Sequence, residues 1–148
     1  MGTWTARSTV RGEPDRVLEL LTDPDAAELW SPFSFSVEEI DGRRLESGSR
    51  AVLGGKMAGR WVEFELDVFE ASDGRLSLRA SGPVTMDVDY ELLDGELLAE
   101  VKVHGGRGLT GRLLSSAADG FLAAGTLQSA VDAIAREAAA DDELAVAA

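Results

Sequence analysis

The feature that most constrains this chain is strict two-residue alternation through residues 60–103, cut by Asp-Gly pairs. Val62, Phe64, Leu66 and Val68 alternate with Glu63, Glu65 and Asp67. After Asp73-Gly74, Leu76, Leu78 and Ala80 oppose Arg75, Ser77 and Arg79. After Gly82-Pro83, Val84, Met86, Val88, Tyr90 and Leu92 oppose Thr85, Asp87, Asp89 and Glu91. After Asp94-Gly95, Ala99, Val101 and Val103 oppose Glu100, Lys102 and His104. Successive strand residues point to opposite faces, so each segment has one apolar face. Asp-Gly is a strong hairpin signal, because both positions tolerate the positive φ of the favoured two-residue turn. Antiparallel hairpins follow. They place the Arg75/Arg79 strand between two acidic strands, a register supported by about 0.2–1 kcal/mol per good cross-strand pair.

The flanking segments complete the order. Residues Thr3–Arg11 alternate with Trp4, Ala6, Ser8 and Val10 on one face, and Phe33, Phe35 and Val37 begin a further strand. Arg50–Leu53 reads as a short strand running into a loose tip bracketed by Gly54, Gly55 and Gly59. Between the first two strands, Pro14 suits the first turn of a helix whose apolar stripe is Val17, Leu18 and Leu21. Asp23-Pro24 interrupts it, and a second short helix is expected from Asp25 to Trp30. From Leu109 to about Ala140 the period becomes helical, with Leu113, Ala117, Phe121, Ala124, Leu127, Val131, Ile134 and Ala138 in one stripe. A sheet with one apolar face and a helix with one apolar stripe bury each other. The expected class is α+β: one domain over residues 1–140, with a frayed tail over 141–148.

Composition removes several function classes. The chain has 148 residues, no Cys and one His, so thiolate, disulfide and multi-His metal chemistry are excluded. Fourteen basic against 27 acidic residues leave a net charge of −13, opposite in sign to a nucleic-acid footprint. No apolar run approaches the roughly 20 residues of a membrane span, and no signal-peptide pattern follows Met1. A cytoplasmic location is the default expectation.

The order of elements, with Glu13–Pro32 (EPDRVLELLTDPDAAELWSP), resembles the START/Bet v 1-like (SRPBCC) superfamily and its bacterial polyketide cyclase/dehydrase-like members. The most specific residues are the Pro-x-x-Val-x-x-x-Leu-x-Asp-Pro helix and Trp30-Ser31-Pro32. The Gly-rich stretch Gly105–Leu114 adds a likeness to accessory proteins of carbon monoxide dehydrogenase. The resemblance implies a helix-grip fold: a curved antiparallel sheet wrapped round a long C-terminal helix, with two short helices after the first strand and a cavity inside.

Candidate chemistry is sparse. Asp87, Asp89 and Glu91 share a strand face, but it is the polar one, and they read as a solvated outer surface. His104 lies outward with Glu100 and Lys102 and reads as a surface histidine. Gly106–Leu113 half-matches a phosphate loop but lacks its Lys and Ser/Thr. A weaker reading has Arg107 and Arg112 holding an anionic group at the helix start. Gly120 and Gly125 are expected inside the long helix, either opening space for a ligand or packing closely on the sheet. The inward set matters most. Phe33, Phe35, Phe64, Leu66, Met86, Val88, Tyr90, Phe121 and Gly125 line the expected cavity, with Trp30 and Met57 at its mouth. That apolar composition with one hydroxyl suits a hydrophobic or aromatic small molecule, with no cofactor, no metal and no catalytic residue assigned. A polyketide cyclase/aromatase-like enzyme, an accessory protein of the carbon monoxide dehydrogenase kind and a homodimeric state stay open.

Overall fold

Asp73-Gly74 and Asp94-Gly95 both adopt positive φ (52° and 73°; 52° and 75°), as two-residue hairpin turns require. They set the pairing of the strands around them. The computed structural model describes residues 2–31, 35–57, 59–104 and 125–147. The strands are β1 (Thr3–Thr9), β2 (Phe35–Ile40), β3 (Arg50–Met57), β4 (Arg60–Ser72), β5 (Arg75–Ser81), β6 (Thr85–Leu93) and β7 (Glu96–His104). They form one curved antiparallel sheet of seven strands in the order β1-β7-β6-β5-β4-β3-β2. Helices α1 (Pro14–Thr22) and α2 (Pro24–Ala27) follow β1, and α3 (Thr126–Ala147) closes the chain.

Inner-face residues line up in rows across the sheet. Ala51, Leu66, Ala80, Met86 and Val103 make one row; Val68, Leu78, Val88, Val101 and Trp4 make the next. A third runs through Ala71, Leu76, Tyr90, Ala99 and Ala6. Two bulges break the alternation that the sequence suggests. One, between Val68 and Glu70, turns Phe69 outward to 63% exposure and returns Ala71 to the inner row. The other, between Val37 and Glu39, brings Ile40 back to the side of Val37.

The helices close this face. On α3, Leu127, Ala130, Val131, Ile134 and Ala138 are buried and pack mainly against β1, β7 and α1. The stripe expected over residues 127–138 is therefore present; its residues 109–124 lie outside the described ones. Gly125 is not inside a helix as expected. It precedes α3 with φ +88°, and its carbonyl accepts the amide of Ser129 at 3.0 Å. The helix backbone continues to Ala147, past the expected end at Ala140, through an Ala-rich stretch of high helix propensity. On α1 the buried apolar residues are Val17, Leu20 and Leu21, so Leu20 replaces Leu18 in the expected stripe.

Candidate functional site

On the inner face, exposure is uneven. Leu66, Leu78, Tyr90, Ala99 and Val101 are buried, whereas Leu53, Phe64, Met86 and Val88 are only half-buried. These four come from β3, β4 and β6, and Phe64 pairs with Leu53 in the ladder. Gly82 lies beside the Phe64 ring; a Cβ there would come within 2.9 Å of it. Leu53 was legible as an alternating position of the Arg50–Leu53 strand, but nothing local distinguished it from sealed core.

Tyr90 is buried (7% exposed), and its ring and that of Trp30 meet in a T-shaped contact at 6.1 Å between centroids, inclined 65°. Trp30 is fixed in turn by its Nε1–H, which donates to the Leu20 carbonyl at 2.5 Å. Burial alone pushes the Tyr90 hydroxyl up from its ordinary 10.0 to about 12, because the phenolate would be poorly solvated there. The hydroxyl is thus held protonated over the neutral range. Among the described residues, nothing hydrogen-bonds to it.

The other expected site residues disperse. Leu66 is sealed core. Phe35 lies on the inner face in the row of Gly55 and Val62, next to the row of Leu53 and Phe64, and lines a cleft between α2 and β2. Phe33, Phe121 and the side chain of Met57 lie outside the described residues, as do the phosphate-loop half-match and the Gly105–Leu114 stretch. Gly125 offers open space to a Cβ but stands at the start of α3.

On the outer face Asp89 meets Arg75 at 3.8 Å across β5 and β6 as expected, whereas Asp67 meets Arg50 of β3 at 3.0 Å rather than an arginine of β5. Asp87 is more than a solvated carboxylate. Its oxygens accept from Arg79 Nε at 2.7 Å and Nη2 at 3.2 Å, and His104 Nε2 lies 2.7 Å from Oδ2. The Arg79 guanidinium foremost, against the opposing effect of partial burial, holds Asp87 down at about 2. A carboxylate this acidic, with its oxygens engaged, is a poor general base at neutral pH. His104 and Arg79 side chains are half exposed (49% and 48%), so the cluster lies on a surface rather than in a cleft. Among the described residues no group of acidic or histidine side chains could hold a metal, and no helix is long and apolar enough to cross a membrane.

No protein-family model and no curated protein matches the sequence. Solved structures do share the fold. One from Thermus thermophilus has a TM-score of 0.63 at 16% identity, covering 95% of this chain and 99% of that one. The major latex-like protein 151 of Panax ginseng gives 0.63 at 12% identity, over 93% of this chain and 97% of that one. The Zhui aromatase/cyclase of a Streptomyces species gives 0.60 at 16% identity, over 93% of each chain. The chain has the SRPBCC, Bet v 1-like helix-grip fold.

Proposed function

We propose that this chain binds a hydrophobic or aromatic small molecule in an internal cavity on the inner face of the sheet. The observation that carries the reading is the half-burial of Phe64, Met86 and Val88. β4 and β6 are interior strands, and their inner-face neighbours Leu66, Leu78 and Val101 are sealed. In a fully packed interior, these three would be sealed as well. Their apolar surface is worth about 25 cal/mol for each Å² removed from water, so an apolar ligand gains by covering it.

Tyr90 and the aromatase/cyclase fold neighbour support a second reading, polyketide cyclase-like chemistry. It is the weaker one. A hydroxyl pushed up to about 12 is further from neutral pH than a free tyrosine and correspondingly poorer at proton transfer.

The test is uptake of a neutral solvatochromic dye, with Val88→Phe to fill the space. The folded wild type should shift the dye's emission, and Val88→Phe should weaken binding by about tenfold, or about 1.4 kcal/mol. Absence of uptake by the folded protein, or equal uptake by a folded Val88→Phe, overturns the reading.

A further inference from the structure

We propose that the cleft between α2 and β2 is a second binding site, for an organic cation carrying its ammonium group on an apolar or aromatic body. The cleft measures about 810 Å³, within the scale of small-molecule sites, about 300–1,000 Å³. One wall is apolar: Phe35, Val37 and Ile40, aligned by the β2 bulge. The other is acidic: Asp23, Asp25 and Glu28, with Pro24 between them.

Charge distinguishes this cleft from the ion-paired positions of the sheet. On the sheet, Asp67, Asp87, Asp89 and Glu96 each meet an arginine of the chain. In the cleft, Asp25 and Glu28 form no ion pair with any described residue, and Asp23 uses one oxygen on the amide of Asp25 at 3.0 Å. Arg43 lines the same space without closing on any of them within 4.0 Å, so three carboxylates face one guanidinium. An anion is repelled by that excess. A neutral apolar guest would strip water from carboxylates and give nothing back. A cation with an apolar body satisfies both walls, and the Phe35 ring adds a π face of roughly 0.5–1 kcal/mol at exposed sites.

The walls are tied together before any ligand arrives. Thr22, at the end of α1, accepts from Arg44 Nε at 3.2 Å and Nη2 at 3.1 Å, and its carbonyl accepts the Leu45 amide at 2.9 Å. This pins the chain leaving β2 beside the start of α2. A preformed cleft avoids the ordering cost of assembling one.

The test is calorimetric titration with octyltrimethylammonium below its micellar range, against octanoate and octanol. The cation should bind at least about tenfold tighter than either. Asp25→Asn with Glu28→Gln should remove about tenfold of that affinity, whereas Glu63→Gln with Glu91→Gln, an equal charge change on the outer sheet face, should not. If the cleft double variant fails to fold, Glu28→Gln alone should lose about threefold. Equal losses in both double variants would mean attraction to the whole acidic surface and overturn the site. So would binding of octanoate as tight as the cation. Competition between the cation and the neutral interior dye would place both in one space, and would overturn the second site while leaving the interior reading intact.

Discussion

The Trp30 indole and the Tyr90 ring meet in a T-shaped contact at 6.1 Å, joining the turn after α2 to the inner face of β6. Trp30 is held by the Leu20 carbonyl, so the short helices and the sheet are locked through one aromatic pair. Such a pair adds about 0.5–1.5 kcal/mol beyond its buried area.

Tyr90 is the sole tyrosine of the chain, so absorbance near the phenolate band reports it alone. Its ionisation should centre at about 12 in the folded protein rather than at 10.0. A raised folded value means full stabilisation below the unfolded value, lost as pH climbs from 10 to 12. The loss across that window is on the order of 2–3 kcal/mol, at about 1.36 kcal/mol per unit. Titration near 10 in the folded state would contradict the buried placement.

Tyr90→Phe separates binding from chemistry. A binder should lose at most about 0.5–1.5 kcal/mol of ligand affinity, the net value of one hydrogen bond. A cyclase relying on the hydroxyl should lose about 10²–10⁴ in rate while still binding.

Asp87 and Asp89 should part company. Asp87 anchors Arg79 and His104, and its folded value lies at about 2, below the ordinary 3.8. Its contribution is therefore present above pH 3.8 and lost as pH falls toward 2. Its partners are half exposed, so Asp87→Asn should cost only about 1 kcal/mol at pH 7. Asp89→Asn, whose Arg75 contact is 3.8 Å, should stay within about 0.5 kcal/mol. Urea midpoints at pH 7 and pH 2.5 decide; indistinguishable variants would refute the difference.

Ile134 is fully buried on the sheet-facing stripe of α3. Ile134→Ala should destabilise the fold by about 2–5 kcal/mol in denaturant titration. A change under about 1 kcal/mol would show that α3 does not carry the core.

Gly125→Ala should cost about 1 kcal/mol or more, although a Cβ there meets nothing within 4 Å. The cost comes from φ +88°, which an L side chain resists. A neutral substitution would place Gly125 in an ordinary helix.

Much of the architecture was legible in the residues themselves. Alternation from Val62 to Val103 fixes which side chains turn inward, because strand geometry has a period of two whatever surrounds it. Asp73-Gly74 and Asp94-Gly95 select their turns by backbone preference alone, and Leu127, Val131, Ile134 and Ala138 share a helix face by spacing. Tertiary structure decided the rest. No local signal separates Leu66, sealed, from Phe64, half-buried, two residues away; that depends on what lies across the sheet. The bulges at Glu38 and Phe69 are set by the register of the neighbouring strand. The union of Asp87 with His104, 17 residues apart, arises from β6 pairing with β7. The meeting of Asp25 and Glu28 with Val37 and Ile40 follows from Thr22 gripping Arg44, a contact 22 residues apart. Alternation sorts side chains to a face, but only the packing of elements distant in sequence leaves one position on that face closed and another open.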